Sequence, residues 1–262
     1  MKIISLNTGI RLKNTEKLIS FLTKENADII CLQEVSQALE MTAKKQFHVK
    51  QDLDASLSNR YPHRFFGELW KSTGFNATGE LDFGGLIEQG NYILSKHPFS
   101  YKHNDFYYKE YSHVTNWKKW FEEDHGRALQ HVIIDFFNGE RLQLVNLHGI
   151  WTDNKLGDAR TLQQARSIIH TTKKYPDLPT IIIGDINLLP ESASIQYLNR
   201  HFTNLIDKYK ITSTRPQIKK GFDKGKLVVD YIFVNHFIID KKFEVPNSNI
   251  SDHLPLVFEF EV

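Results

Sequence analysis

The amino-acid sequence predicts a mixed α/β layered fold. Short apolar runs alternate with helix-period stripes from the first residues onward, and an Asn-Gly pair joins two alternating runs as a hairpin. No repeat, low-complexity linker or domain boundary interrupts the order, so residues 1–262 are expected to form one catalytic-sized unit.

The elements follow in sequence. KIISL at 2–6 reads as a short buried strand, and a helix is expected from about Asn14, where Leu18, Phe21 and Leu22 share a stripe. Asp28–Glu34 returns to strand and completes a β-α-β opening. Residues 61–90 mix glycines and charges with aromatics, and NYILSKHP reads as a strand ended by Pro98. Strands are expected at Ala128–Phe137 and Arg141–His148 across Asn138-Gly139, followed by a helix over roughly Asp158–Lys174. Pro179 opens the strand TIIIGDIN and Pro190 a short helix; a basic loop runs from Lys208 to Lys226. The strand LVVDYIFVN, a connector and SDHLPLVFEFEV complete the chain.

Composition excludes several classes of function. An apolar fraction of 40% among 262 residues supports a substantial core and argues against disorder. A formal charge of +2 is far from the basic excess of a dedicated nucleic-acid-binding domain, so any polyanion contact must be local. The single cysteine, Cys31, lies in an apolar run and reads as a small core residue; without a possible internal disulfide, a reducing, cytoplasmic setting is expected. The N-terminal apolar run is too short for a secretory core, and no run approaches the length of a membrane helix.

Polar residues recur where the apolar runs of strands stop: Asn7, Gln33 and Glu34, His148, Asp185 and Asn187, and Asp252 with His253. Strand ends on one sheet edge can share a pocket. Taken singly, each also reads as an ordinary solvated, turn, capping or hydrogen-bonded structural residue. Asp230 is different because it interrupts VVDYIFV, where an unpaired carboxylate would cost several kcal/mol, so it requires a partner such as a histidine.

The set SLN, LQEV, LVNLH, IIIGDINLLP, VDYIFV and SDHLPLVFEF, in this order, resembles the endonuclease/exonuclease/phosphatase superfamily, and the likeness runs from residue 3 to the C-terminus. GNYILSKHP and the pair Arg160 and Gln163 are smaller echoes of the same pattern. The resemblance implies a four-layer α/β sandwich, with two central, mostly antiparallel sheets flanked by helices and a site at one edge. It also implies Glu34 as the principal metal carboxylate, with Asn7 beside it and Asp252 near the metal. Asp185 and Asn187 would position water and phosphate, Asp230 and His253 would form a carboxylate–imidazole couple, and His148 would protonate or stabilise the leaving group.

These residue types suit phosphoester hydrolysis. A hard divalent ion, magnesium or else manganese, neutralises nonbridging phosphate oxygens, and Glu34 and Asp252 offer oxygen ligands for it. Asn7 and Asn187 can hydrogen-bond water or phosphate without adding charge. Either Asp185 or His253 can serve as the general base; a histidine paired to Asp230 stays protonated to higher pH, which favours Asp185 for that role.

The sequence departs from the pattern at Gly9, which argues against the abasic-site endonucleases, and at Asn146, where the family has threonine. A third departure is Val228, where the family often has arginine; Lys226 or Arg215 would then supply the charge.

The expected activity is hydrolysis of a phosphodiester, of nuclease type, on DNA or RNA. The alternatives are a small or lipid phosphoester, as in sphingomyelinases or inositol phosphatases, and a non-catalytic binding protein of the same fold. Interleaved aromatics and lysines in 101–121, such as Tyr107, Tyr111, Trp117 and Lys118, could stack bases, enter a lipid interface or simply pack on the sandwich. No obligate protein partner is implied.

Overall fold

The structure is a computed structural model that describes residues 1–10, 12, 14–74, 81–115, 125–216 and 227–262. Trp117, Lys118, Lys119, Trp120 and the lysines of 217–226 lie outside the described residues.

The chain opens with β1 (Lys2–Asn7), α1 (Thr15–Glu25) and β2 (Ile29–Ala38). Asn14 caps α1 by accepting from the Lys17 amide, and Asn26 ends it in the left-handed region, which asparagine tolerates better than most residues. A helix α2 (Val49–Leu57) follows; the sequence reading passed over it, although Val49, Leu53 and Leu57 recur every fourth residue and are buried. Next come β3 (His63–Gly74), β4 (Asp82–Ser95), β5 (Phe99–Tyr108) and the short β6 (Ser112–His113). The glycine- and aromatic-rich stretch thus belongs to two long paired strands.

The expected hairpin is β7 (Arg127–Asp135) and β8 (Arg141–His148), with Gly139 at φ 88° in its turn. Asp158 caps α3 (Ala159–Thr172) through a capping box with Thr161. Then come β9 (Thr180–Asp185), α4 (Ala193–Asn199), β10 (Thr203–Asn204) and α5 (Leu205–Lys208). The final strands are β11 (Asp230–Val234), β12 (Ile239–Glu244) and β13 (Leu256–Glu261). Part of the expected connector is therefore a strand, β12. Its mostly exposed lysine-bearing edge carries little apolar pattern.

Two sheets form the centre, in the orders β12-β13-β1-β2-β4-β3-β6 and β10-β11-β9-β8-β7-β5. Most pairings are antiparallel; β1 with β2, β8 with β9 and the short β3 with β6 are parallel, the first two each joined by a crossover helix. Alternation along β1 and β2 explains the layers. Ile4, Leu6, Ile30 and Leu32 pack with Leu18 and Leu22 of α1 and Leu53 and Leu57 of α2, whereas Ile3, Ile29 and Cys31 join the core that contains Leu144 and Val145 of β8. Strands covered on both faces read as continuous apolar runs, so period-two alternation is weak in them. Helix α3 packs against α4, β5 and β8. The result is helix, sheet, sheet, helix, as the sequence predicts.

Candidate active site

The site lies where one row of each sheet reaches the same edge. In one sheet His148, Asp185 and Asp230 are successive partners across β8, β9 and β11. In the other, Asn7 is paired with Gln33. Asp230 is the first residue of its strand and not an interior one, so the strand begins on its chemistry.

Glu34 reaches the pocket through a β-bulge. Leu32 pairs with Tyr92 and Val35 with Gly90, so Gln33 and Glu34 together face one residue of β4, with Glu34 at φ 55°. The strand continues to Ala38 and does not stop at Glu34. The bulge sends the two neighbours in different directions. Gln33 turns into the seam between sheets, donating to Asn146 Oδ1 at 2.7 Å and Ser5 Oγ at 3.1 Å, and so leaves the pocket. Asn146 in turn donates to Gln130 Oε1 at 2.9 Å, which gives the asparagine before His148 a buried partner on each side.

Glu34 Oε1 accepts from the Asn7 amide at 3.1 Å, and Oε2 from the Ile10 backbone N–H at 2.7 Å. Asn7 also donates to Asp185 Oδ2 at 2.9 Å, bridging the two carboxylates. His253 Nε2 lies 3.6 Å and His148 Nε2 3.7 Å from that same oxygen. On its far side, His253 Nδ1 meets both oxygens of Asp230, each at 2.9 Å. Asp185 Oδ1 accepts from the Asn187 backbone N–H at 2.8 Å, and the Asn187 amide donates to the Gly149 carbonyl at 3.1 Å. Asn187 sits at φ 63°, which turns the chain sharply after β9.

Burial and charge set the ionisation of these groups. For His253, burial opposes protonation, but the Asp230 and Asp185 carboxylates outweigh it and raise the ring above its ordinary range. For Asp185, burial pushes upward, yet His253, His148 and Lys155 together hold it below the usual carboxylate value. His148 falls well below the imidazole range, first through burial and then through Arg127. Glu34 is raised by burial and by the charge of Asp252.

Asp252 stands more open, beside the Arg215 guanidinium, which donates to its carbonyl at 2.9 Å and to Oδ2 at 3.2 Å. Of the two basic residues expected to stand in at Val228, Arg215 has its charge on Asp252, and Lys226 lies outside the described residues. Gly9 has a steric reason: it sits at φ 71°, and a Cβ there would come 2.9 Å from Asp252 Oδ1.

The donor set fits a hard divalent cation. The Glu34 and Asp252 carboxylates repel each other across a site where Glu34 keeps 19% side-chain exposure, and both are hard oxygen donors of the kind such an ion takes. Asp185, Asp230 and His253 also bring possible ligand atoms within 4.8 Å of one another. There, however, His253 Nδ1 already faces the Asp230 carboxylate as a hydrogen-bond donor, so that nitrogen has no lone pair to offer a metal.

Arg127 and Lys155 were missed from the sequence. Arg127 is buried against His148, and Lys155, at φ 55°, donates to Asn187 Oδ1 at 3.3 Å and lies over the Trp151 ring. Neither stands in a motif that separates it from any other basic residue.

Comparison with known proteins agrees with the fold. Residues 5–253 match the Endonuclease/Exonuclease/phosphatase family. No curated protein matches the chain. Among solved structures, an endonuclease/exonuclease/phosphatase from Beutenbergia cavernae superposes with TM-score 0.75 at 15% identity, covering 100% of this chain and 71% of the other. A mannosyl-6-phosphatase of Bacteroides thetaiotaomicron gives 0.67 at 15% identity, covering 100% of both chains. D. rerio TDP2 complexed with single strand DNA product gives 0.70 at 17% identity, covering 100% of this chain and 99% of the other. With the family matched over nearly its whole length and the sandwich in place, the chain belongs to the Endonuclease/Exonuclease/phosphatase family, hydrolases that act on phosphoester bonds.

Proposed function

We propose that residues 1–262 act as one catalytic unit, a divalent-metal-dependent hydrolase of phosphodiesters of nuclease type. The observation that carries this reading is the convergence on Asp185 Oδ2 of the Asn7 amide at 2.9 Å, His253 Nε2 at 3.6 Å and His148 Nε2 at 3.7 Å. One anionic acceptor ringed by N–H groups is suited to hold a water on one side and a phosphate oxygen on the other.

Each residue then has a task. Asp185, held ionised, orients the attacking water and takes its proton as the bond to phosphorus forms. His253, held protonated by Asp230, donates from Nε2 to a nonbridging oxygen whose charge grows in the transition state. Asn187, anchored by the Gly149 carbonyl, and Asn7 fix the positions of water and phosphate. Glu34, with Asn7 and Asp252 beside it, would hold magnesium or manganese, which when bound withdraws charge from the phosphate oxygens.

A small phosphoester is the second reading, favoured by the aromatic segment. Tyr107 donates its hydroxyl to Gln164 at 2.9 Å, Tyr111 donates to Glu88 at 2.5 Å, and Lys109 lies over Tyr108. Rings engaged in this way are poorly placed to stack bases. A non-catalytic role is disfavoured because Asn7, Glu34, His148, Asp185, Asn187, Asp230, Asp252 and His253 are all retained.

The test is a magnesium-supplemented assay of the purified chain on plasmid, single-stranded oligonucleotide, bis-p-nitrophenyl phosphate, p-nitrophenyl phosphate and sphingomyelin. Cleavage of the nucleic acids is expected. Turnover of the small esters alone would move the assignment to the second reading, and no turnover of any substrate would end the catalytic one.

A further inference from the structure

We infer that Arg127 is a positioning residue that locks His148 in its neutral Nε2–H tautomer. His148 thereby meets the substrate as a hydrogen-bond donor and not as an imidazolium acid. The inference deepens the proposed function, on which its kinetic part rests.

The two site histidines have opposite neighbours at the same ring atom. His253 Nδ1 faces the Asp230 carboxylate, an acceptor, so Nδ1 must carry a hydrogen. His148 Nδ1 faces Arg127 at 3.0 Å from a terminal guanidinium nitrogen. A guanidinium has donors only and does not deprotonate in proteins, so Nδ1 of His148 must be the acceptor. The ring hydrogen is thereby left on Nε2. That atom points toward Glu34 Oε1 at 3.6 Å and Asp185 Oδ2 at 3.7 Å, both acceptors, as an N–H should.

The fold holds the contact in place. Arg127 starts β7 and His148 ends β8, neighbouring antiparallel strands in which Leu129 pairs with Leu147. Both side chains are buried, with 4% and 6% exposure, so neither can swing into water without leaving a polar group unsatisfied. The charged groups acting on the ring are Arg127, Lys155 and His253 on the cationic side and Asp185 and Glu34 on the anionic side. A hydrogen on Nδ1 would point at the guanidinium's own N–H and break the 3.0 Å contact. His148 can lend its Nε2–H to a charged oxygen of the substrate, and it keeps the proton.

The experiment uses the full chain with 15N-labelled histidine. Two-bond 15N–1H correlation spectra near pH 7, with His148 assigned by its loss in His148→Gln, distinguish the two neutral tautomers and the imidazolium. The expected pattern is a bare Nδ1 and a protonated Nε2. An Nδ1–H tautomer, or a ring protonated on both nitrogens, would overturn the inference whether or not any substrate is turned over. This readout is therefore independent of the phosphoesterase assignment.

Arg127→Met and Arg127→Lys supply the functional half, measured on whichever substrate the assay panel identifies. Arg127→Met should lower kcat roughly 10–100-fold with KM little changed, and should let the Nδ1–H tautomer appear. Arg127→Lys, which restores a donor, should recover part of both. A folded Arg127→Met protein with wild-type kcat would refute the positioning role. If neither variant folds, the wild-type spectrum alone decides.

Discussion

Asp230 presents both of its carboxylate oxygens to one nitrogen of His253, each 2.9 Å from Nδ1. The pair offsets part of the burial that, with Asp185 nearby, still raises the Asp230 carboxyl, and it fixes the direction in which Nε2 points. Replacing it by Asp230→Asn should lower the His253 pKa and reduce kcat. The sign of the stability effect follows from the raised ring. Its contribution is fully present below the unfolded value of about 6.5 and is lost as pH rises through the folded value. Thermal melts of wild type and variant should therefore differ most on the mildly acidic side and converge with increasing pH. A difference that did not change with pH would contradict the pairing.

Removing the base tests the centre of the site. Asp185→Asn should fold, because its single amide oxygen can still accept from the Asn187 backbone while its NH2 replaces the oxygen that faced Asn7, and it should lose roughly 10²–10⁴-fold in kcat. Asp185 has a lowered pKa, so it adds stability that is present above its unfolded value and lost as pH falls through the folded one. Urea titrations at acid pH should show wild type losing more stability than Asp185→Asn, and equal losses would argue against an ionised Asp185.

For Glu34 the expectation has opposite signs with and without metal. Burial and Asp252 make its charge unfavourable, so in a chelator Glu34→Gln should melt higher than wild type near neutral pH. Added magnesium should then raise the wild-type Tm and leave the variant unmoved. Equal magnesium shifts in calorimetry would place the metal elsewhere.

Gly184 precedes Asp185 at φ 139°, and a Cβ there would overlap the Leu147 carbonyl of the adjacent strand. Gly184→Ala should cost on the order of 3 kcal/mol in equilibrium unfolding. A loss under about 0.5 kcal/mol would mean that the close approach of β8 and β9 is not needed.

Asn187 combines a backbone role with a chemical one, and two substitutions separate them. Asn187→Gly keeps the left-handed turn at φ 63° and should stay near wild-type stability while activity falls. Asn187→Ala should lose the same activity and, in addition, about 1 kcal/mol of stability. An active glycine variant would reduce Asn187 to a turn residue.

Much of this was legible from the sequence because polar residues at strand ends break apolar runs visibly. Asn7, His148, Asp185 and Asp230 each stand out in that way, and the fold class follows from the same runs. Glu34 was legible as a residue but not as geometry. Nothing in LQEV announces a bulge that sends Gln33 inward and Glu34 outward. Helix α2 carried a readable stripe at Val49, Leu53 and Leu57 that was short enough to pass as loop. Arg127 and Lys155 were not legible, since what distinguishes them is the side chain each one touches across strands and turns, and basic residues are common everywhere along this chain. The aromatic segment showed its composition but not that the Tyr107 and Tyr111 hydroxyls are bonded within the protein.

Strand β13 lies between β12 and β1, so β1 is paired with the strand farthest from it along residues 1–262. Asp252 and His253 arrive immediately ahead of it, and Phe260 exchanges backbone hydrogen bonds with Met1. The pairing with the longest separation in the chain is thus the one that delivers His253 to Asp185 and Asp230. A ribosome-bound intermediate, or a product truncated before residue 252, has much of the scaffold but not the imidazole that stands beside Asp185 and Asp230. The site's geometry is therefore incomplete until residue 253 is in place, and loss of the segment from residue 252 onward would remove Asp252 and His253 from it.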